Sequence, residues 1–322
     1  MRARPRRGRD AIDIPARSIG RGLTNDAIAD PIRPQRSLRR TGGARRPVAA
    51  MSGAPVAGAA RVAAVDGLRG LLAVVVLAWH VAAPFGLAWL LPAANLAVAT
   101  FFVLSGYVLT RGWDGRYGVF LIRRFLRLWP VYALCLAAGY GVAGVAPVWS
   151  EFLWYPVIDA DTRPFIDPPV WSLFVEAWAM PFMPLIVWAG AGATMRTVLC
   201  MAALVALGIL SPRISFGVLF VAGAFLAQFD FRSRPLEAAL PQWLGRISYS
   251  LYLTHWLVLA VASRAFGPWG GVAALPAVFL VAWAVYRGVE RPSIGASRLI
   301  GRLVAPRRAP NSPPGVAVRG AT

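Results

Sequence analysis

The chain has 322 residues, of which 57% are hydrophobic and only 15% charged. An ordinary soluble domain carries charge on about a quarter of its residues, so this composition excludes one. The formal net charge is +20, yet every basic residue is arginine, 13 of the 34 fall in residues 1–50, and most of the rest flank apolar segments. Such placement orients membrane helices and does not point to a nucleic-acid partner.

In chain order, residues 1–60 are rich in Arg, Pro, Gly and Ala and show no apolar periodicity. The expectation is a disordered basic segment. Arg6-Arg7 opens no twin-arginine signal, because no apolar stretch follows it. Met51 stands just before the first apolar run and offers an alternative start, which N-terminal sequencing of the native protein decides. Eight apolar spans follow, over about residues 65–84, 94–110, 125–147, 171–191, 195–210, 214–229, 245–263 and 270–289. Their lengths approach the ~20 residues a membrane helix needs, and the short alternating segments of a β-barrel are missing. The predicted fold class is all-α, a polytopic transmembrane helical bundle. Residues 61–293 form the membrane domain and 294–322 a basic cytoplasmic tail.

Loop charges set the expected orientation. Arg111, Arg116, Arg123, Arg124 and Arg127 cluster over residues 111–127, at the entry to the third span. Arg232 and Arg234 precede the seventh, and Arg291, Arg298, Arg302, Arg307 and Arg308 follow the eighth. Eight spans with a cytoplasmic N-terminus place all three groups inside, with both termini cytoplasmic. Segment 148–170 holds Glu151, Asp159, Asp161 and Asp167 against Arg163 alone, so it is expected outside. Its Trp149, Trp154 and Tyr155 suit stacking on sugars, although an interfacial aromatic belt is their commoner use.

Ionisable groups within membrane spans are costly and therefore functional candidates. Arg69 and His80 are eleven residues apart, which puts them on nearly one helical face and about 16 Å apart along the axis. Asp66 is close enough in sequence to pair with Arg69. The plainer roles are an interfacial anchor for Arg69 and a carbonyl-bonded packing ring for His80. Glu176 lies in the outer third of a span that runs inward. At that depth it suits a base–orienter pair with His80, or an interhelical fastening. Ser248, Tyr252 and His255 share one face of the seventh span, as a cleft lining or as interhelical bonds. Arg123, Arg124 and Arg127 suit phosphates, which arginine binds in bidentate fashion, or serve topology only. Ser105-Gly106-Tyr107 lacks the GxSxG pattern of a nucleophile elbow. Ser105 and Gly106 read as close packing and Tyr107 as a polar contributor. Cys135 and Cys200 sit in apolar runs without CxxC or HxxxH spacing, so neither a disulfide nor a metal site is expected.

Six segments in order resemble the acyltransferase-3 family of integral-membrane O-acyltransferases: VDGLRGLLAVVVLAWH (65–80), FFVLSGYVL (101–109), FLIRRFLRLWPVYAL (120–134), VWSLFVEAW (170–178), LGRISYSLYLTHW (244–256) and VERP (289–292). The resemblance implies transfer of an acyl group, often acetyl, from cytoplasmic acyl-CoA to a hydroxyl of a sugar or other envelope component. It makes Arg69 and His80 the family's arginine–histidine pair. Glu176 becomes the first acid of the WSLxxE segment, and His255 the histidine of the SYSLYLxH segment.

On this reading, Arg69, Arg123, Arg124 and Arg127 hold the CoA phosphates, with Tyr107, Tyr252 and His255 as further substrate-binding candidates. His80 is the general base, helped by Glu176. No cofactor is bound, and acyl-CoA is the co-substrate. The remaining partners are a carbohydrate or lipid-linked acceptor and membrane lipids, with no nucleic acid, in the plasma (inner) membrane. Two departures stand out. Ala177, Trp178, Ala179 and Met180 replace the family's second acid and Gln-Phe-Tyr, and eight spans replace about ten, the shortening lying between residues 190 and 214. A transporter or flippase and a catalytically degenerate scaffold remain the alternatives. A transporter calls for internal repeats or paired broken helices, and a scaffold needs neither Arg69 nor His80.

Overall fold

The computed structural model describes residues 62–153, 168–209 and 212–304. The basic segment 1–60, with Met51, lies outside the described residues, as do Trp154, Tyr155 and the tail beyond residue 304. Among the described residues there is no strand. The helices are α1 (Ala63–Ala82), α2 (Leu91–Arg111), α3 (Tyr117–Ala143), α4 (Trp149–Phe152), α5 (Trp171–Ala179), α6 (Met183–Gly190), α7 (Thr194–Leu207), α8 (Pro212–Ser215), α9 (Gly217–Leu226), α10 (Ala239–Phe266), α11 (Pro268–Ala273), α12 (Leu275–Val285) and α13 (Arg291–Leu303). The protein is an all-α bundle.

Each expected apolar span falls on helix, but the helices differ in reach. Among the described residues, Ala63–Phe85, Leu91–Arg111 and Pro168–Gly190 are both long and apolar enough to cross a membrane. The third is broken by the turn Met180–Phe182, where Pro181 and then Pro184 withhold backbone N–H donors. Helices α3 and α10 are longer, at 27 and 28 residues, and carry arginines. Helices α7 and α9 have only 14 and 10 residues. At 1.5 Å per residue these reach about 21 and 15 Å, short of a ~30 Å hydrocarbon core.

The main pairings are α1 with α10 and α2 with α9, and glycine dictates both. A Cβ on Gly70 would lie 2.5 Å from the Gly245 nitrogen, and one on Gly245 would lie 2.2 Å from the Asp66 carbonyl oxygen. In the second pair, a Cβ on Gly106 would meet the Phe220 oxygen at 2.2 Å, and one on Gly223 the Val103 oxygen at 2.0 Å. Within a membrane, such backbone approach replaces the hydrophobic drive that water supplies elsewhere. Gly70→Ala and Gly223→Ala are therefore expected to cost about 1–3 kcal/mol each through overpacking. Gly118→Ala, where the new methyl meets open space, serves as the control. Thermal unfolding in detergent reads the difference, and equal midpoints for Gly70→Ala and Gly118→Ala would contradict the close crossing.

A shared core joins α2, α3, α6, α9 and α10 through Phe102, Tyr132, Met183, Phe220 and Leu253. The segment after α3 folds back along it: the Tyr132 hydroxyl donates to the Glu151 carbonyl, and Trp129 Nε1 donates to Phe152 O at 2.7 Å. Trp149 stays exposed. At the other end of the chain, the expected boundary between residues 293 and 294 is no break. A π-helical turn, Tyr286–Glu290, runs straight into α13, which packs on α3.

Candidate active site

His80 and His255 meet where α1 crosses α10. Their ring centroids are 4.9 Å apart and edge-on. His255 is 1% exposed, and its Nδ1 lies 3.1 Å from the Leu251 carbonyl, one turn back on its own helix. A carbonyl only accepts, so Nδ1 carries the hydrogen and Nε2 is left with a lone pair. That Nε2 faces His80 Nδ1 at 3.2 Å, and the same Nδ1 lies 2.9 Å from Val76 O. His80 Nδ1 therefore carries a hydrogen shared between two acceptors. These tautomers are assigned from the bonding network, and they leave the lone pair of His80 Nε2 without a hydrogen-bond partner among the described residues. The plainer role, a carbonyl-bonded ring, is thus met through Nδ1 and is the reason the opposite nitrogen is available. Trp79 and Trp256 wall the ring, with centroids 4.4 and 5.3 Å away. The Trp79 indole N–H is buried and meets no acceptor.

Tyr252, one turn below His255, shares a 2.9 Å hydrogen bond with Ser172 Oγ, which ties α5 to α10. Ser248 bonds only its own helix, at Gly245 O. The Ser172 contact also explains a correction. Glu176 lies four residues further inward on α5, and Tyr252 already lies three residues inward of His255. Together these offsets put Glu176 about 10 Å below His255. The carboxylate accordingly accepts from Arg124 Nη2 at 2.7 Å, the two side chains being 13% and 10% exposed. The partner expected for His80 is thus bonded to an arginine, and His255 takes its place beside the imidazole.

Below the histidines, Arg69, Arg124 and Arg127 lie within electrostatic reach of one another and of Glu176 and Glu290. Glu290 is 4% exposed and accepts from Ser250 Oγ at 2.6 Å. Arg124 is committed to Glu176. Neither Arg69 nor Arg127 has a hydrogen bond or ion pair among the described residues. Arg123 leaves the group. It is 100° around α3 from Arg124, and its side chain packs beside Gly301 of α13 while its carbonyl accepts from Ser297. Tyr107 also lies apart from the histidines. Its hydroxyl donates to Phe229 O and accepts from Arg111, which pairs with Asp230 at 2.8 Å. It fastens the end of α2 to the segment after α9.

The site thus has two separated features: the unpaired guanidinium groups of Arg69 on α1 and Arg127 on α3, and, about 16 Å from Arg69 along α1, an imidazole with a bare nitrogen. A family model described as an acyltransferase domain matches residues 62–241, more than half of the chain. The chain belongs to this acyltransferase family. No curated protein and no solved structure matches it. In this acyltransferase the matched stretch holds Arg69, His80, Arg124, Arg127 and Glu176, while His255 and Glu290 lie beyond it. The protein is therefore an enzyme of a membrane family. Glu290 and Ser250 were not among the sequence candidates. The signal that marks Glu290 is the acidic residue of VERP at the end of an apolar run, where a buried carboxylate needs a partner. Among the described residues no group of His, Cys, Asp and Glu is arranged to hold a metal ion.

Proposed function

We propose that this enzyme moves an acyl group, acetyl in the first instance, from acyl-CoA on the cytoplasmic side to a hydroxyl of a sugar or other cell-envelope acceptor. The observation that supports the reading is the combination of unpaired Arg69, with the bare His80 Nε2 about 16 Å further along the same face of α1, and unpaired Arg127 of α3 within electrostatic reach of Arg69. The two guanidiniums bind CoA phosphates, and the extended pantetheine arm brings the thioester up to His80. His80 Nε2 takes the proton of the acceptor hydroxyl, and the oxygen attacks the thioester carbonyl. The tetrahedral intermediate collapses to the ester. CoA leaves as the thiolate and recovers the proton from the imidazolium. The proposed donor to the developing oxyanion is the unpartnered Trp79 N–H.

His255 is a positioning residue that fixes the His80 tautomer. Glu176 and Glu290 balance the arginines, so Arg124 has a supporting part and Arg123 none in phosphate binding. Tyr252 holds the acceptor side through Ser172. Cys135 is buried in the apolar core, and attack by the acceptor is direct. The setting proposed is the plasma membrane, crossed several times, with both termini on the cytoplasmic side. No bound cofactor is required.

The test is acetyl-CoA binding and thiol release by the purified protein in detergent. Arg69→Gln and Arg127→Gln are each expected to weaken binding, and the wild-type affinity should fall with added salt as a phosphate contact does. Wild type that binds no acyl-CoA, or variants that bind as tightly as wild type, would overturn the donor assignment. Transfer of labelled acetyl to envelope extracts then identifies the acceptor class.

A further inference from the structure

Three stripes run along α13. Ser293, Ser297 and Gly301 recur every four residues, and Ser297 and Gly301 face α3. Ser297 Oγ donates to Arg123 O at 2.9 Å, and a Cβ on Gly301 would lie 3.1 Å from the Arg123 guanidinium carbon. Arg291, Arg298 and Arg302 are exposed, and at 100° per residue they fall within about 40° of one another. Arg287, on the π turn just before, extends this line with its guanidinium 5.2 Å over the Trp283 ring. The third stripe is Leu299 and Leu303, which are 55% and 70% exposed and lie about 100° further round.

One face of α13 is thus spent on the protein, and the other two are left bare, one basic and one apolar. A helix of low overall hydrophobicity with these two faces side by side lies in a membrane interface. Within α13 no acidic residue opposes the arginines. Glu290, just before it, is turned inward to Ser250. We propose that α13 lies in the plane of the cytoplasmic interface. There Arg291, Arg298 and Arg302 bind the phosphates of anionic lipids, and Leu299 and Leu303 sit among the acyl chains.

Guanidinium groups suit this ligand because they match phosphate oxygens in pairs. The consequence reaches the active site. Helix α13 begins directly after Glu290 and rests on Arg123, next to Arg124 in sequence. Anchoring α13 to the membrane therefore fixes both neighbours of the arginine cluster. The choice of leaflet rests on the orientation proposed above, but the lipid contact is read without any activity assay, so the two readings fail separately.

The test uses the full chain with Cys135 and Cys200 replaced by alanine. Single cysteines at 298, 299 and 303 are spin-labelled in nanodiscs of phosphatidylcholine with phosphatidylglycerol. Labels at 299 and 303 are expected to be reached by oxygen and shielded from a nickel chelate, with 298 at headgroup depth. Native mass spectrometry should show wild type retaining phosphatidylglycerol over phosphatidylcholine, with that preference lost in R291Q/R298Q/R302Q. Water exposure at 299 and 303 would overturn the proposal. So would shielding from both reagents, which would indicate a protein contact, or an unchanged lipid preference in the triple variant. The spin-label arm stands even if the triple variant fails to fold.

Discussion

His80→Ala is expected to lower kcat for acetyl transfer, or for the slower thiol release to water, by about 10²–10⁴-fold, the usual contribution of a positioned general base. The expectation follows from the ring's bonding. His80 Nδ1 is engaged by Val76 O and His255 Nε2, so the only lone pair the ring offers a substrate is on Nε2. Binding of acyl-CoA should be nearly unchanged, because its proposed phosphate contacts are Arg69, at the other end of α1, and Arg127 of α3. His255→Ala should give a smaller loss, confined to kcat, since His80 can then rotate and exchange its tautomer. His255→Gln should recover part of that loss by returning an acceptor to His80 Nδ1. A structural role for His255 alone predicts something else: lower yield and stability in both variants, with normal kcat in the protein that folds. Full activity in His80→Ala would remove the imidazole from the chemistry.

The helical class and one packing glycine are legible in the chain because they depend on local pattern, whereas the Gly70–Gly245 approach of α1 and α10 is seen only in the fold. Apolar length marks the spans, and Gly106 reads as a packing glycine before its contact with Phe220 is seen. The Arg69–His80 relation was equally legible, since eleven residues on one helix fix both angle and depth. What failed was depth compared across helices. Counting the span from its apolar edge places Glu176 level with His80. The Ser172–Tyr252 bond instead sets α5 deeper, and the carboxylate reaches Arg124. The arginine run failed differently: adjacent residues on a helix diverge by 100°, so Arg123 and Arg124 serve different partners however close they are in sequence. His255 was legible as a polar residue on a shared face but not as the partner of His80, because that contact joins residues 175 apart in sequence. Glu290 escaped notice because a π-helical turn, which periodicity does not reveal, directs it inward.

Glu176→Ala is expected to destabilise the protein by about 3–5 kcal/mol, the range for removing one partner of a buried ion pair. Its carboxylate is the only hydrogen-bond partner of the Arg124 guanidinium among the described residues, and Arg124 Nε is already buried without one. Alanine would leave a stranded cation within reach of the like charges of Arg69 and Arg127, which oppose it. The same logic makes the double variant milder than either single one: Arg124→Met with Glu176→Leu removes both charges and keeps the volume, so stability should return close to wild type. Thermal or denaturant unfolding in detergent measures the cycle, and two groups in direct contact should show a coupling well above about 0.5 kcal/mol. The double variant also separates the roles. If Glu176 only neutralises Arg124, the folded double variant keeps its kcat and loses affinity for acyl-CoA modestly, through the missing third arginine. If it instead loses kcat to the extent of His80→Ala, the carboxylate acts on the imidazole after all, through a rearrangement that substrate binding would have to drive.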